Sequence, residues 1–174
     1  MSFLSTIFGG RRDRAVVRPL YDSAVRIGRD PFWYRDGAVP DTIDGRFDML
    51  SAVLALVLIR LEAEGEAARA ESVLIAETFV DDMDGTLREL GIGDVVVGKR
   101  IGKMMGALGG RTGAFRRALA GEERFDAAVR RNVFRDEPAS EDAVGRLTER
   151  LRVFHERLAA TPLEKLLAGE LPSP

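Results

Sequence analysis

A chain of 174 residues, 45% hydrophobic and 31% charged, has the size and composition of one soluble globular domain with a proper core. It holds no cysteine and a single histidine, His155, which excludes disulfides, thiolate metal sites, His-ligated zinc enzymes and nucleophile–histidine catalysis. Its net charge of -2 conceals two opposed belts: residues 61–94 carry ten acids against two arginines, and residues 95–135 carry ten Lys or Arg against three acids. Such asymmetry bears on partners more than on fold.

At the N-terminus, Phe3, Leu4, Ile7 and Phe8 fall on one face of a short helix that Gly9-Gly10 should end, with Arg11, Arg12 and Arg14 following. Residues 1–14 thus read as an apolar and basic tab, lying either on a membrane or on the protein's own body. The main helical domain is expected over residues 15–168, and residues 169–174 should fray. A first helix is predicted from Ala15 to Ile27, with Val16, Leu20, Ala24 and Ile27 inward. A loop follows, punctuated by Pro31, Gly37 and Pro40, whose Phe32, Trp33 and Tyr34 should fold onto the body. Asp41 or Thr42 is placed to cap the next helix.

That next helix carries MLSAVLALVLIRL, residues 49–61, apolar all round except for Ser51 and Arg60. Thirteen residues are too few for a membrane span, which needs roughly 17–25. A helix apolar on every side is one wrapped by others, so it should be the central core helix. An acidic amphipathic helix is predicted from about Glu66 to Leu90, burying Val73, Ile75, Ala76, Phe79, Val80, Met83, Leu87 and Leu90. Gly91 should end it, and Asp94 should cap a glycine-rich helix reaching Leu108. Shorter helices are expected over 113–120 and 124–135, and a long last helix from Ser140 with Val144, Leu147, Leu151, Phe154 and Leu158 inward. No stretch alternates with period two, so the chain reads as an all-α, single-domain bundle without a sheet.

Three motif matches fail. Gly93 to Lys99 fits a phosphate loop until Arg100 takes the place of the Ser or Thr that would hold Mg²⁺, and it follows a helix where a strand is needed. Asp82-Met-Asp84-Gly85 lacks the first and last carboxylates of a calcium loop. Acids such as Asp81, Asp82, Asp84 and Glu89 suit a solvated helix face better than acid–base catalysis. No metal or cofactor is expected. The glycines at 98, 102, 106 and 110 are another matter, because they line one side of a helix at roughly 1 kcal/mol each relative to Ala. They imply either tight packing on a neighbouring helix or a basic groove, with Lys99, Arg100 and Lys103 beside flexible Met104 and Met105.

Long motifs run through these same segments: Arg29-Asp-Pro31 to Tyr34, Val39-Pro40-Asp41-Thr42, Gly45-Arg46-Phe47-Asp48, Phe79 to Asp84, Leu87-Arg88-Glu89, Gly91-Ile-Gly93-Asp94, Val97 to Arg100, and Gly110-Arg111. Over roughly residues 15–135 the chain resembles the ubiquinol–cytochrome c chaperone family, although Gly109 stands where the family usually has an aromatic. The resemblance implies a non-enzymatic chaperone that holds newly made cytochrome b while the cytochrome bc complex (respiratory complex III) is assembled. It implies cytochrome b or other subunits of that complex as partners, a ribosome or membrane surface nearby, and no DNA. The expected location is cytoplasmic, peripheral at the inner membrane. A quinone- or lipid-binding helical protein is the alternative.

The motif residues that core packing leaves unexplained are Asp41, Arg88, Asp94, Lys99 and Arg100. They suggest that the three motif segments meet in a client-binding groove edged by Lys99, Arg100 and Arg111, with Tyr34, Met104 and Met105 as floor. Arg46 is expected to pair with Asp82 or Asp84.

Overall fold

The computed structural model of the chain describes residues 3–135 and 138–174, with side chains from residue 14 onward. The side chains of the N-terminal tab, Arg14 excepted, lie outside the described residues. Eight α-helices account for most of what is described: α1 Phe3–Gly28, α2 Pro31–Arg35, α3 Ile43–Glu62, α4 Arg69–Glu89, α5 Asp94–Leu119, α6 Phe125–Val129, α7 Glu141–Ala160 and α8 Leu163–Leu167. A 3₁₀ turn, Gly65–Ala68, leads into α4, and a π turn, Arg130–Phe134, continues α6. There is no strand among the described residues.

The apolar run after residue 48 forms the axis of the molecule, as its composition requires. Met49, Ala52 to Val57 and Leu61 are buried, and α3 touches α1, α4, α5 and α7. Thr42 caps it, its hydroxyl accepting from the Gly45 amide at 3.1 Å. Only glycine fits at 45, because a Cβ there would lie 1.9 Å from the Pro40 carbonyl oxygen. Leu54→Ala should therefore cost roughly 2–5 kcal/mol in urea denaturation, the range for a close-packed site.

Two helices are longer than expected. α1 runs unbroken through Gly9-Gly10 and Pro19, and it buries Val17, Leu20, Tyr21 and Ala24 while Val16 faces out. Contacts with α3 and α4 on that face outweigh the weak local signals. α5 likewise continues through Gly109, Gly110 and Gly113, held down by buried Leu108, Arg111, Thr112 and Phe115. Its first residue is Asp94, and the cap position falls to Gly93 with no capping side chain. Gly91 ends α4 in the left-handed conformation, at φ +76°.

The aromatic segment supplies a device the sequence only hinted at. Helix ends leave carbonyls unsatisfied. At the end of α1 the Trp33 indole N–H donates to the Ile27 carbonyl and the Tyr34 hydroxyl to the Gly28 carbonyl, each at 2.6 Å. Ser140 caps α7 through the Ala143 amide, and Val144, Leu147, Leu151, Phe154 and Leu158 are buried as the spacing predicts. The tail expected to fray is tied back to the body: Ser23 donates to the Gly169 carbonyl at 2.6 Å, and Leu171 packs against the core.

The glycine ridge of α5 points away from the bundle. No heavy atom lies within 4 Å of a Cβ built at Gly98, Gly102, Gly106 or Gly110, so the ridge serves no packing within the described residues. Alanine at Gly106 should accordingly raise stability by about 1 kcal/mol, read as a higher urea midpoint at unchanged slope.

Candidate functional site

Four helices converge where α1 ends and α3 begins. Gly28 allows this crossing, since a Cβ at that position would sit 3.0 Å from the Leu50 backbone. Val25 of α1 and Arg29 just past its end, Ile43, Arg46, Phe47 and Leu50 of α3, the second half of α4 and Met104 of α5 enclose a groove of about 320 Å³. That volume lies at the lower end of the range for small-molecule sites, about 300–1,000 Å³.

The floor is apolar. Phe47 and Leu87 are buried, and Phe47 packs on Phe79 with ring centres 5.9 Å apart. Met83 and Met104 are half-buried, and their unbranched thioethers re-pack easily around varied shapes. Ile43 and Leu90 form the lips, 62% and 52% exposed. Large aliphatic side chains left in water at the edge of an apolar groove mark an interaction site.

The rim is polar and partly fixed. The Tyr21 hydroxyl donates to Asp82 at 2.7 Å, and burial, reinforced by that carboxylate, pushes the Tyr21 pKa up. Arg46 donates to Asp41 at 2.6 Å and lies 5.7 Å from the Tyr34 ring centre. The bond from Arg46 lowers the Asp41 pKa, while burial raises that of Tyr34. Arg46 thus finds its carboxylate five residues back, and the expected pairing with Asp82 or Asp84 does not form. Arg88 joins the ends of two helices, donating to Asp84 at 2.6 Å and also to Asp94.

A larger polar recess of about 590 Å³ opens between α1 and α4. Its Arg14 is already paired with Glu77 and Asp81, and no large apolar side chain lines it. The 320 Å³ groove is the better candidate for a binding site.

Of the residues singled out from sequence, Arg46 and Met104 line this groove, and Tyr34 and Asp41 brace Arg46 from behind. Arg88 and Asp94 hold the neighbouring turn. Met105 packs on the core, and Lys99 and Arg100 stand exposed on α5 without lining the groove. Arg111 is no edge residue. It is 3% exposed and bonds Asp48 at 2.8 Å as well as Ser51 and the Asn132 carbonyl. Its place was readable: Val97, Ile101, Met104, Leu108, Arg111 and Phe115 recur at alternating four- and three-residue steps, the inward stripe of a helix. The lips were missed because Ile43 and Leu90 sit within apolar patterns that look like core.

Among the described residues no cluster of three or more His, Asp or Glu could hold a metal ion, and no helix is long and apolar enough to cross a membrane. An apolar groove with a charged rim, on an all-helical bundle, has the chemistry to take an apolar ligand or segment. The chain belongs to the ubiquinol-cytochrome C chaperone family, which it matches over residues 35–172, the C-terminal helices included. It is also similar to the crystal structure of the Cbp3 homolog from Brucella abortus, at 32% sequence identity over 99% of this chain and 97% of that one, with a TM-score of 0.79. No curated protein shows a significant match. Family membership supports a role in assembling the cytochrome bc complex.

Proposed function

We propose that the chain is a non-enzymatic chaperone that holds newly made cytochrome b, with an apolar stretch of that client seated in the groove between α1, α3, α4 and α5. The observation that carries this reading is the groove itself, an apolar floor with two thioethers and two exposed aliphatic lips. A client rich in transmembrane helices offers many apolar faces, and an adaptable floor suits several of them. In this reading the protein works at the cytoplasmic side of the inner membrane, where such a client is inserted. The exposed Lys99, Arg100 and Lys103 of α5, none paired with an acid among the described residues, support contact with an anionic surface such as a lipid headgroup or ribosomal RNA.

The test is a pull-down from membranes using Ile43→Asn with Leu90→Asn. Both residues are more than half exposed, so the fold should survive, as circular dichroism would show. Capture of cytochrome b should fall steeply, whereas Lys99→Glu with Arg100→Glu should leave the groove's share intact. Undiminished capture by the Asn variant would place the client elsewhere. The groove volume also favours a second reading, a quinone or lipid tail as resident ligand. Mass spectrometry of the purified protein would find that ligand co-purified.

A further inference from the structure

Most guanidinium groups of this chain are engaged. Arg14, Arg18, Arg46, Arg60, Arg88, Arg116 and their like hold carboxylates. Arg29 differs. It lies at the mouth of the groove and also borders the recesses on either side, yet its side chain makes no hydrogen bond or ion pair among the described residues. Arg46 stands at the same mouth, and both it and its partner Asp41 are more than half exposed, so that pair exchanges readily with water or a ligand. The one carboxylate in the lining, Asp82, accepts from the Tyr21 hydroxyl and keeps its charge. The mouth of the apolar groove therefore presents Arg29, a cation with no ion-pair partner among the described residues, beside the exchangeable Arg46–Asp41 pair and the hydrogen-bonded Asp82.

From this charge pattern we infer that the groove selects an apolar helical segment carrying a carboxylate beside its apolar anchor, with Arg29 receiving that carboxylate. This rests on the groove being the client site, and it adds which segments enter. The floor gives no direction, since any aliphatic side chain fits a floor of Phe47, Met83, Leu87 and Met104. Charge at the mouth supplies what the floor lacks, because rim charges reject wrong partners more than they add affinity. The choice also discriminates among membrane segments. Cytoplasmic flanks of transmembrane helices are enriched in Lys and Arg, and such flanks would meet like charge here.

Two fluorescent synthetic helical peptides test the inference, sharing one leucine–alanine core and flanked by Asp in one and by Lys in the other. Fluorescence anisotropy should show the Asp peptide binding the native chain about tenfold tighter, the scale of one charge-assisted hydrogen bond. Arg29→Gln should erase the preference and Arg29→Glu should invert it. Arg29 is exposed, so neither change threatens folding. Ile43→Asn with Leu90→Asn should weaken both peptides alike. Equal binding of the two peptides, or a preference that survives Arg29→Glu, would overturn the inference while the Asn variant still upholds the groove. If the Asn variant leaves both peptides bound, the groove reading fails and the inference fails with it.

Discussion

Arg111→Ala should destabilise the fold by about 3–5 kcal/mol, the cost of leaving a buried ion pair half made. Asp48 and Arg111 are 4% and 3% exposed at their side chains, and they meet at 2.8 Å between α3 and α5. Burial lowers the Arg111 pKa and the Asp48 charge opposes that shift. Asp48 also accepts from Arg135 at 2.7 Å, where the chain leaves the π turn with φ +54°. Removing Arg111 strands Asp48 with that single half-exposed partner and frees Ser51 and the Asn132 carbonyl inside the bundle. Guanidinium denaturation of the single variant should show the full loss. Arg111→Met together with Asp48→Leu should recover much of it, because an apolar pair of similar volume often replaces a buried ion pair at little cost.

Trp33→Ala should cost about 3–5 kcal/mol, at the upper end for a buried aromatic. The indole is fully buried, its N–H donates to the Ile27 carbonyl alongside the Asp30 amide, and its ring packs edge-on against Phe32 at 5.5 Å. The Arg150 guanidinium covers both rings, 4.0 Å from the centre of Phe32 and 4.9 Å from that of Trp33, while pairing with Asp30 at 2.8 Å. Alanine would open a cavity between α1 and α7 and release the end of α1 together. Trp33→Phe separates the two effects, since it keeps most of the volume and loses only the hydrogen bond. It should cost about 1–2 kcal/mol in the same denaturation experiment.

The helices that read well from sequence are those whose burial is fixed by composition alone. α3 has no polar face to misplace, and α7 repeats its apolar residues at unbroken helical spacing. Local breakers misled elsewhere: Gly9-Gly10 and Gly109-Gly110 look like helix ends, but both lie within helices, and the second is held by buried Leu108, Arg111, Thr112 and Phe115 around it. Periodicity placed the glycines of α5 on one side without saying which. The opposite stripe of Val97, Ile101, Met104, Leu108 and Phe115 already assigned them to the outside.

The site was legible in its segments and not in its members. Motif residues such as Asp41, Arg88 and Asp94 are now accounted for by pairs that brace the rim and the turn. The residues that form the proposed binding surface are aliphatic and thioether side chains whose patterns match those of core. Sequence alone does not separate a half-buried Met83 from a fully buried Phe79, because both fall on one arc of α4. What separates them is where α1 and α3 stop covering that arc.

The groove's role is tested most directly by a photo-crosslinking residue placed in turn at Ile43, Leu90 and Lys103, followed by detection of newly made cytochrome b. Adducts from positions 43 and 90, and few from 103 on the glycine face of α5, are the expected result. Adducts from 103 with none from 43 or 90 would contradict the account, and would move the client to the outer face of α5.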